Sequence, residues 1–466
     1  MSTRRLSSYL ASTALAAGLA LLPAAALAES LADALVQAYQ TSPLLESTRA
    51  ALRAIDEGVP QARANRRPQI DAGAGANSSQ TFDGSEAMHE LRATLNASLL
   101  LFDNGQTEAA IEAARNRIAA GRADLKDVEQ LVLFNAVQAY ADVRRDEEFV
   151  RLALTDVDRL GETLRATENR FEVGEVTRTD VSQSEARLAE SRSTLAATRG
   201  QLEISREAFR AAVGSLPQNL EPLPPLPDLP RTIEEATSIG IRRSPQIISA
   251  QFNERVAVYD FDRALAAKGP SIAADAAVGV RRGNSNVLRD WDNQSFGEVG
   301  IRGSIPLYTG GRNDSLVRQA QAILDQRRFE LQDTGRQVTQ QVAAAWTELQ
   351  VARASIVARR EQAQASRIAA EGVTEEARLG ARSTLDVLNA VQEQLLAEAE
   401  IVRALRDEYV AAYGVLQAMG LLTVEHLALG IETYDPDVNF VKVRPGPSGG
   451  YDTSVVDRIR ARWERR

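Results

Sequence analysis

The stretch VGEVTRTDV at residues 173–181 recurs 206 positions later as LGARSTLDV at residues 379–387, with the glycine and the Asp-Val pair in the same places. Shorter matches extend this repeat in both directions. They pair Ser42-Pro43 with Ser244-Pro245, Leu101 with Leu307, Gly105 with Gly311 and Gly214 with Gly420. A nearly constant offset indicates a tandem repeat. Six prolines between Pro217 and Pro230 separate the halves and predict an extended linker.

Near the start of each half, small or apolar residues alternate with polar ones. The alternating segments are residues 70–77 and 91–99 in the first half and residues 272–280 and 299–307 in the second. Strict alternation predicts β-strands. Each half therefore holds one hairpin of two strands about ten residues long, which is the length that spans a bilayer when tilted.

Each strand hairpin is followed by a long segment rich in helix-forming residues. No proline occurs between Pro68 and Pro217 or between Pro306 and Pro436. The predicted helices cover residues 106–170, 179–213, 312–380 and 383–419. Apolar residues seven apart, as at Val143, Val150, Val157 and Leu164, indicate supercoiling against neighbouring helices. Each half should therefore form a long helical hairpin that turns at a glycine.

The N-terminus has the features of a secretory signal peptide. Arg4 and Arg5 precede the apolar run Leu10–Leu27, which ends in the small-residue pattern around Ala28. Removing it before Glu29 changes the net charge from −9 to −11. No later stretch reaches ~18 uncharged apolar residues, so no transmembrane helix is expected after it.

The chain is expected to divide into five parts. These are the signal peptide (1–28), the first repeat (29–216), the Pro-rich linker (217–230), the second repeat (231–429) and a C-terminal tail (430–466). In the first repeat, residues 31–65 have helical spacing, and Ser42 before Pro43 predicts a helix start. A helix, a turn and a second helix fit this segment. The glycines and prolines of the tail predict an irregular structure.

The composition excludes several classes of protein. The chain has 466 residues, no cysteine, two histidines and a net charge of −9. Without cysteine there is no disulfide, thiolate metal site or cysteine nucleophile, and two histidines are too few for a zinc site. The acidic balance gives no basic field for nucleic acid. No Ser/His/Asp set or Gly-rich phosphate loop is found, so we expect neither an enzyme nor a bound metal or other cofactor.

Four amphipathic strands cannot close a membrane barrel. Open sheet edges are not tolerated in lipid, and the smallest barrels have about eight strands. Copies of the chain should therefore associate, and three copies would supply twelve strands above a ring of long helices. An ordinary soluble sheet and a solid coiled coil remain alternatives. Trp291 and Phe296 are either aromatic residues at a membrane interface or loop residues.

The layout of helix, strand hairpin, long helical hairpin and linker, repeated twice, resembles the TolC family of outer-membrane channel proteins over about residues 29–429. The more specific match lies at the turns, residues 173–181 and 379–388, which look like the family's periplasmic tip motifs. The resemblance implies a membrane α+β fold, in which a trimeric twelve-stranded β-barrel continues into a long α-helical barrel across the periplasm. It also implies an outer-membrane location.

The function implied by the resemblance is an exit duct of a tripartite export system, for type I protein secretion or multidrug efflux. Its partners would be two further copies of the chain, outer-membrane lipid, a periplasmic adaptor (membrane fusion) protein and an inner-membrane transporter, ABC-type or proton-driven. A periplasmic adaptor or a structural coiled-coil protein of the envelope is the alternative. The residues expected to dock the adaptor are Val173, Gly174, Glu175, Val176, Leu379, Gly380 and Ala381.

The resemblance also implies a gate at the tip. Three copies of Asp386 would form a carboxylate ring that attracts cations and in which the charges raise one another's pKa. Arg382 matches the family's gate arginine and would bind Thr179 and Asp180 of the other helical hairpin. Alternatively, Asp180 and Asp386 are simply first-turn acids favoured by the helix dipole.

Two positions depart from the family pattern of the gate. Asn389 stands where the family has a second Asp, and Ala377 stands where it has a tyrosine. Asn389 predicts a weaker negative ring, and Ala377 predicts fewer latch contacts and a looser closed state.

Overall fold

The computed structural model describes residues 28–80, 88–285 and 288–443. The predicted signal peptide thus lies outside the described residues, apart from Ala28. Helices of the first half are α1 (Leu31–Thr41), α2 (Pro43–Asp56), α3 (Gly58–Ala64), α4 (Gln106–Glu172) and α5 (Arg178–Val213). Those of the second half are α6 (Ile233–Arg243), α7 (Pro245–Ala266), α8 (Arg312–Arg378), α9 (Thr384–Ala418) and α10 (Pro436–Val443). The strands are β1 (Gln69–Ser79), β2 (Met88–Phe102), β3 (Ser271–Ser285) and β4 (Leu288–Ser304).

The long helical hairpins are confirmed. Helices α4 and α8 each contain 67 residues, which at ~1.5 Å per residue gives rods of roughly 100 Å. Both start directly after a glycine in the left-handed region, Gly105 with φ 92° and Gly311 with φ 83°. Gly105 lets the chain turn sharply, so only residues 103–105 separate β2 from α4, whereas residues 305–311 separate β4 from α8.

The four strands form one antiparallel sheet in the order β1-β2-β3-β4, with both faces largely exposed in the single chain. Pairing of β2 with β3 joins the two predicted hairpins. One face is apolar or small in character through Ile70, Ala72, Ala74, Leu91, Ala93, Leu95, Val278, Val280, Val299 and Ile301. The opposite face is mostly polar. In the described part of the chain, the outer edges of β1 and β4 pair with no other strand.

The strands differ from the prediction in length. Strands β2, β3 and β4 have 15, 15 and 17 residues rather than about ten. The fourth strand ends at Ser304, although the alternating pattern continues to Leu307. Pro306 has no N–H to donate to a ladder, which accounts for the early end. Phe296 lies inside β4, on the polar face of the sheet, so it is not a loop residue. The Trp291 side chain lies outside the described ones.

The two helical hairpins lie side by side in the order α5, α4, α9, α8, because α4 packs against both α5 and α9, and α9 packs against α8. Closer to the sheet, α7 packs against both α4 and α8. Charged contacts join the hairpins at mid-height: Arg406 Nε lies 2.8 Å from Asp142 Oδ1, and the guanidinium of Arg403 lies 5.5 Å from the ring centre of Phe149.

The main hydrophobic core surrounds the point where α1, α5 and α9 meet the middle of α4. Its largest fully buried side chains include Tyr140, Phe209, Leu133, Leu416 and Met419. The Tyr140 hydroxyl lies within hydrogen-bonding distance of the carbonyl oxygens of Glu29 and Glu221, at 3.0 and 2.8 Å, and can donate its one hydrogen to either. Residues 217–230 contain no helix, and Leu220 forms a bridge with Glu29. The linker is therefore held against the core.

Part of the tail is helical, so the expectation of an irregular segment from residue 430 is wrong for α10. Asp435 Oδ1 accepts from the backbone N–H of Asp437 at 2.8 Å and caps the helix, with Pro436 as its first residue. Phe440 packs against the small cluster of Val59, Ala114 and Ile118. Residues 444–466 lie outside the described part.

The second helix predicted within residues 31–65 is divided into α2 and α3, which meet at Glu57. Across the described ranges 28–80, 88–285 and 288–443, no helix combines the length and the apolar character needed to cross a membrane.

Candidate functional site: the tip of the helical hairpins

Both hairpins turn with the same backbone geometry. Gly174 and Gly380 each have φ 80° and directly follow the last helical turn. The N–H of Glu175 donates to the carbonyl of Arg170 at 2.9 Å, and the N–H of Ala381 donates to that of Glu376 at 2.8 Å. A left-handed glycine with this six-to-one hydrogen bond is a Schellman motif, which satisfies the last carbonyls of a helix.

Each returning helix begins with a capping box. The Thr177 hydroxyl and backbone N–H donate to Asp180 Oδ2 at 2.7 and 2.8 Å, and the Thr177 hydroxyl accepts from the Asp180 N–H at 3.3 Å. Ser383 and Asp386 repeat this arrangement, with bonds of 2.8, 3.1 and 3.2 Å. The repeated glycine and aspartate are therefore the two ends of one local structure, a helix stop followed by a helix start.

These bonds set the charge of the two tip aspartates. Hydrogen bonds from the Thr177 side chain and backbone lower the pKa of Asp180, and those from Ser383 lower the pKa of Asp386 in the same way. Both carboxyls are thus held ionised. The shift is opposite in sign to the one expected from converging carboxylates, so any such ring starts from strongly acidic groups.

Within a single chain, Arg382 is paired with Glu376 of its own hairpin rather than with Thr179 or Asp180. Its Nε lies 2.8 Å from Glu376 Oε2, and both side chains are about half exposed. The unfavourable position of an arginine at a helix start is therefore offset locally. Arg170 and Glu175 form a comparable pair at the first turn, at 3.2 Å.

The two hairpins of one chain touch just above their turns. Leu160 of α4, Leu188 of α5 and Leu388 of α9 form a buried cluster. Beside it, an Arg187 guanidinium nitrogen donates to Asn389 Oδ1 at 3.1 Å. Asn389 therefore contacts the other half of the repeat directly, while Asp180 and Asp386 remain in separate capping boxes.

The apolar residues at the turns face solvent. Val173 is 71% exposed and Leu379 is 80% exposed, and the intervening turn residues Gly174, Glu175, Gly380 and Ala381 are also exposed. Val176 is half-buried. Ala377, the position of the missing tyrosine, is buried within its own hairpin, so a larger side chain there would press on α9 rather than project outwards.

Sequence reasoning missed four residues of this site: Thr177, Ser383, Glu376 and Arg187. The first two follow from a readable signal, since Ser or Thr three residues before an acid at a helix start is the capping-box pattern. The other two are contacts of side chains with no such pattern. Among the described residues, no group of three or more His, Asp or Glu side chains could hold a metal ion.

The sequence profile described as "Outer membrane efflux protein" matches residues 34–215 and 239–421. The outer membrane efflux protein BepC of Brucella suis is 33% identical over 93% of this chain and 94% of its own. The outer membrane protein TolC of Vibrio cholerae is 24% identical over 87% of this chain and 94% of its own.

Solved structures agree on the fold. A crystal structure of CusC superposes with a TM-score of 0.74 at 19% identity, covering 84% of this chain and 92% of that one. The family profile covers both repeats, including both tips, and the relatives are aligned over nearly the whole chain. This protein is therefore a member of the outer membrane efflux protein family, the TolC-like channels of the outer membrane.

Proposed function

We propose that three copies of this chain form an exit duct of a tripartite export system, with a twelve-stranded barrel in the outer membrane and a helical barrel in the periplasm. Family membership already makes the chain an outer-membrane channel protein rather than an adaptor or a structural coiled coil. The cargo is a molecule exported by efflux, the process that the name of BepC prints, or a secreted protein.

The observation that carries this proposal is the open sheet. Its β1 and β4 edges have no partner strand in the described chain, while its apolar face is exposed. In lipid each unpaired backbone group costs several kcal/mol, so the edges must meet those of other copies. With four strands per chain, three copies give a barrel of twelve strands.

The helices support the same closure. In the order α5, α4, α9, α8, the outer helices of one chain are α5 and α8. Each carries large apolar residues on its uncovered face, including Ile204 on α5 and Val351 and Ile368 on α8. Contact of α8 with α5 of the next copy is head-to-tail and closes into a ring.

Native mass measurement of detergent-solubilised protein tests the assembly. We expect one species of three chains. A stable monomer or dimer under conditions that preserve the fold would contradict the proposal.

The tip is proposed to dock a periplasmic adaptor. The inner-membrane transporter would lie beneath that adaptor. Val173 and Leu379 supply exposed apolar contacts at the end of each hairpin, and the glycines let the backbone approach closely. Gly174→Leu and Gly380→Leu should abolish export but not assembly, because φ 80° is strained for leucine. Gly161→Leu, in open space at mid-helix, is the matched control. Normal export by both tip variants would exclude docking here.

The gate is proposed to use Arg382 and Asp386. In a ring of copies, Arg382 would exchange its exposed partner Glu376 for Thr179 and Asp180 of the neighbouring hairpin. Arg382→Ser should then raise single-channel conductance in planar bilayers more than Glu376→Gln does, and Asp386→Ala should lower cation preference. Equal effects of the Arg382 and Glu376 variants would show that the arginine only supports its own hairpin.

A further inference from the structure

Two arginines face each other across the polar side of the sheet. Arg92 of β2 is the register partner of Arg281 of β3, and Gly75 and Gln294 complete the same row on β1 and β4. Both arginines are exposed in the single chain. Like charges placed directly opposite each other destabilise a sheet, so neighbouring groups should offset the repulsion between Arg92 and Arg281.

Neutral groups hold both guanidinium groups. An Arg281 nitrogen donates to Gln294 Oε1 at 2.6 Å, and the Arg92 guanidinium lies 5.1 Å from the ring centre of Phe296. Gly279 makes room for that ring, since a Cβ there would lie 2.8 Å from Phe296 Cζ. The side chains are therefore positioned without being neutralised.

Acidic residues occupy other rows of this face. Of the ion pairs formed by described residues, none includes Arg92 or Arg281. Glu90 stands one row towards the hairpin ends, and Asp71 and Glu298 stand two rows towards the helices. Rows on one face are about 7 Å apart, so the arginines form a separate band between two acidic ones.

We propose that Arg92 and Arg281 form a binding site for polyvalent inorganic anions inside the barrel, near its outer end. The inference rests on the proposed function, in which three copies place six guanidinium groups at one level. The polar face must line the lumen because the opposite face is apolar and suits lipid. The band lies near the hairpin ends of β2 and β3, which are farthest from the helices.

Guanidinium groups suit such a ligand. Each presents a planar fork of donors that matches phosphate oxygens, and those already held by Gln294 and Phe296 lose little rotational freedom on binding. A multiply charged anion that touches several copies at once would also relieve the repulsion within each pair.

Single-channel recording of the full-length trimer in planar bilayers of zwitterionic phosphatidylcholine tests the site, with tripolyphosphate added to both sides in 0.1 M KCl. We expect tripolyphosphate to block the wild-type current. In Arg92→Gln/Arg281→Gln the concentration for half block should rise at least tenfold. Raising KCl to 1 M should also weaken the block, because the screening length falls from about 10 to 3 Å.

Arg302→Gln is the matched control. Arg302 lies on the same face at the helical end of β4, 3.7 Å from Asp275, and its replacement should leave the block unchanged within twofold. Phe296→Leu should weaken the block less than the double variant does. If the double variant does not insert into the bilayer, Arg92→Gln and Arg281→Gln are measured separately. Unblocked wild-type pores, or equal block in the double variant and wild type, would overturn the site. Failure of the wild type to form pores at all would instead contradict the proposed duct.

Discussion

The two longest helices are equal in length but differ in how far their own chain covers them. Of the 67 residues in each, 25 are buried in α4 and 10 in α8. Helix α4 packs against α1, α2, α3, α5, α7 and α9, whereas α8 packs against α6, α7 and α9. The repeat has therefore produced one helix at the centre of the chain and one at its margin, and the marginal one leaves more of its large apolar residues uncovered, among them Phe329, Val351 and Ile368.

The seams inside the two hairpins also differ in chemistry. Between α4 and α5, buried polar side chains are paired: Ser205 with Asp146 and Ser191 with Asp156, both at 2.5 Å, and Ser184 with Thr167 at 3.5 Å. The seam between α8 and α9 is mainly aliphatic, with Val338, Val342, Leu349, Ile356, Ala363 and Ala370 buried on α8. Buried hydrogen-bonded pairs fix register, while aliphatic contacts supply burial free energy.

The largest expected effect follows from the uncovered face of α8. Val351 is 62% exposed in the single chain, and Val351→Asp should prevent assembly because it places a charge in the proposed contact between copies. Native mass measurement and export assays provide the readout. Leu154→Asp on the exposed side of the central helix α4 is the control and should assemble normally. Normal assembly of Val351→Asp would show that this part of α8 faces solvent in the duct.

The aliphatic seam should be the more sensitive to loss of volume. Leu349 is 0% exposed, and Leu349→Ala should lower the free energy of unfolding by about 2–5 kcal/mol through lost burial and a cavity. Denaturant titration followed by helical circular dichroism measures it. Leu131→Ala on the exposed side of α4 should change it by less than about 0.5 kcal/mol. Equal losses would mean that the two helices are equally covered.

The polar seam should respond instead to the loss of one partner. Ser191→Ala leaves the buried Asp156 carboxylate without its hydroxyl donor and should cost about 1–3 kcal/mol. Adding Asp156→Ala should recover part of that loss, which a double-mutant cycle in the same titration would show. Ser193→Ala, exposed on the same helix, is the control. Strict additivity would exclude an energetic coupling between the two side chains.

The smallest expected effect is a difference between the tip and the core in how their local stability depends on pH. Burial raises the pKa of Asp56, Asp127 and Glu129 above their ordinary values of 3.8 and 4.5, so lowering the pH towards those raised pKa values should stabilise the region around α2 and α4. Capping bonds lower the pKa of Asp180 and Asp386 below 3.8. Their stabilisation is present above the unfolded pKa and is lost as pH falls through the folded one.

Hydrogen exchange, corrected for intrinsic rates, should therefore show two responses as the pH falls. Core amides should gain protection as the pH approaches the raised pKa values, whereas tip amides should lose protection only below about pH 4. Asp386→Asn keeps an acceptor for Ser383 but does not titrate, so it should remove the acid sensitivity of the second tip. Retention of that sensitivity in the variant would assign it to another group.

Local patterns determined the arrangement of helices and strands in this protein. Proline-free segments fixed the long helices, period-two alternation fixed the faces of the sheet, and the glycine and aspartate of the tip repeat fixed both turns. Each of these patterns involves residues that are close in sequence. The predicted ends of α4, α5, α8 and α9 agree with the structure to within two residues. The Asp-Pro start of α10 was readable in the same way.

Partner choice was decided only by the tertiary structure. Arg187 and Asn389 are 202 residues apart and meet only because the hairpins pack side by side. Ser205 and Asp146 are 59 residues apart and meet because α5 returns along α4. Such contacts depend on the relative placement of whole helices, and a repeated sequence gives both halves the same local structure without saying which half will be covered.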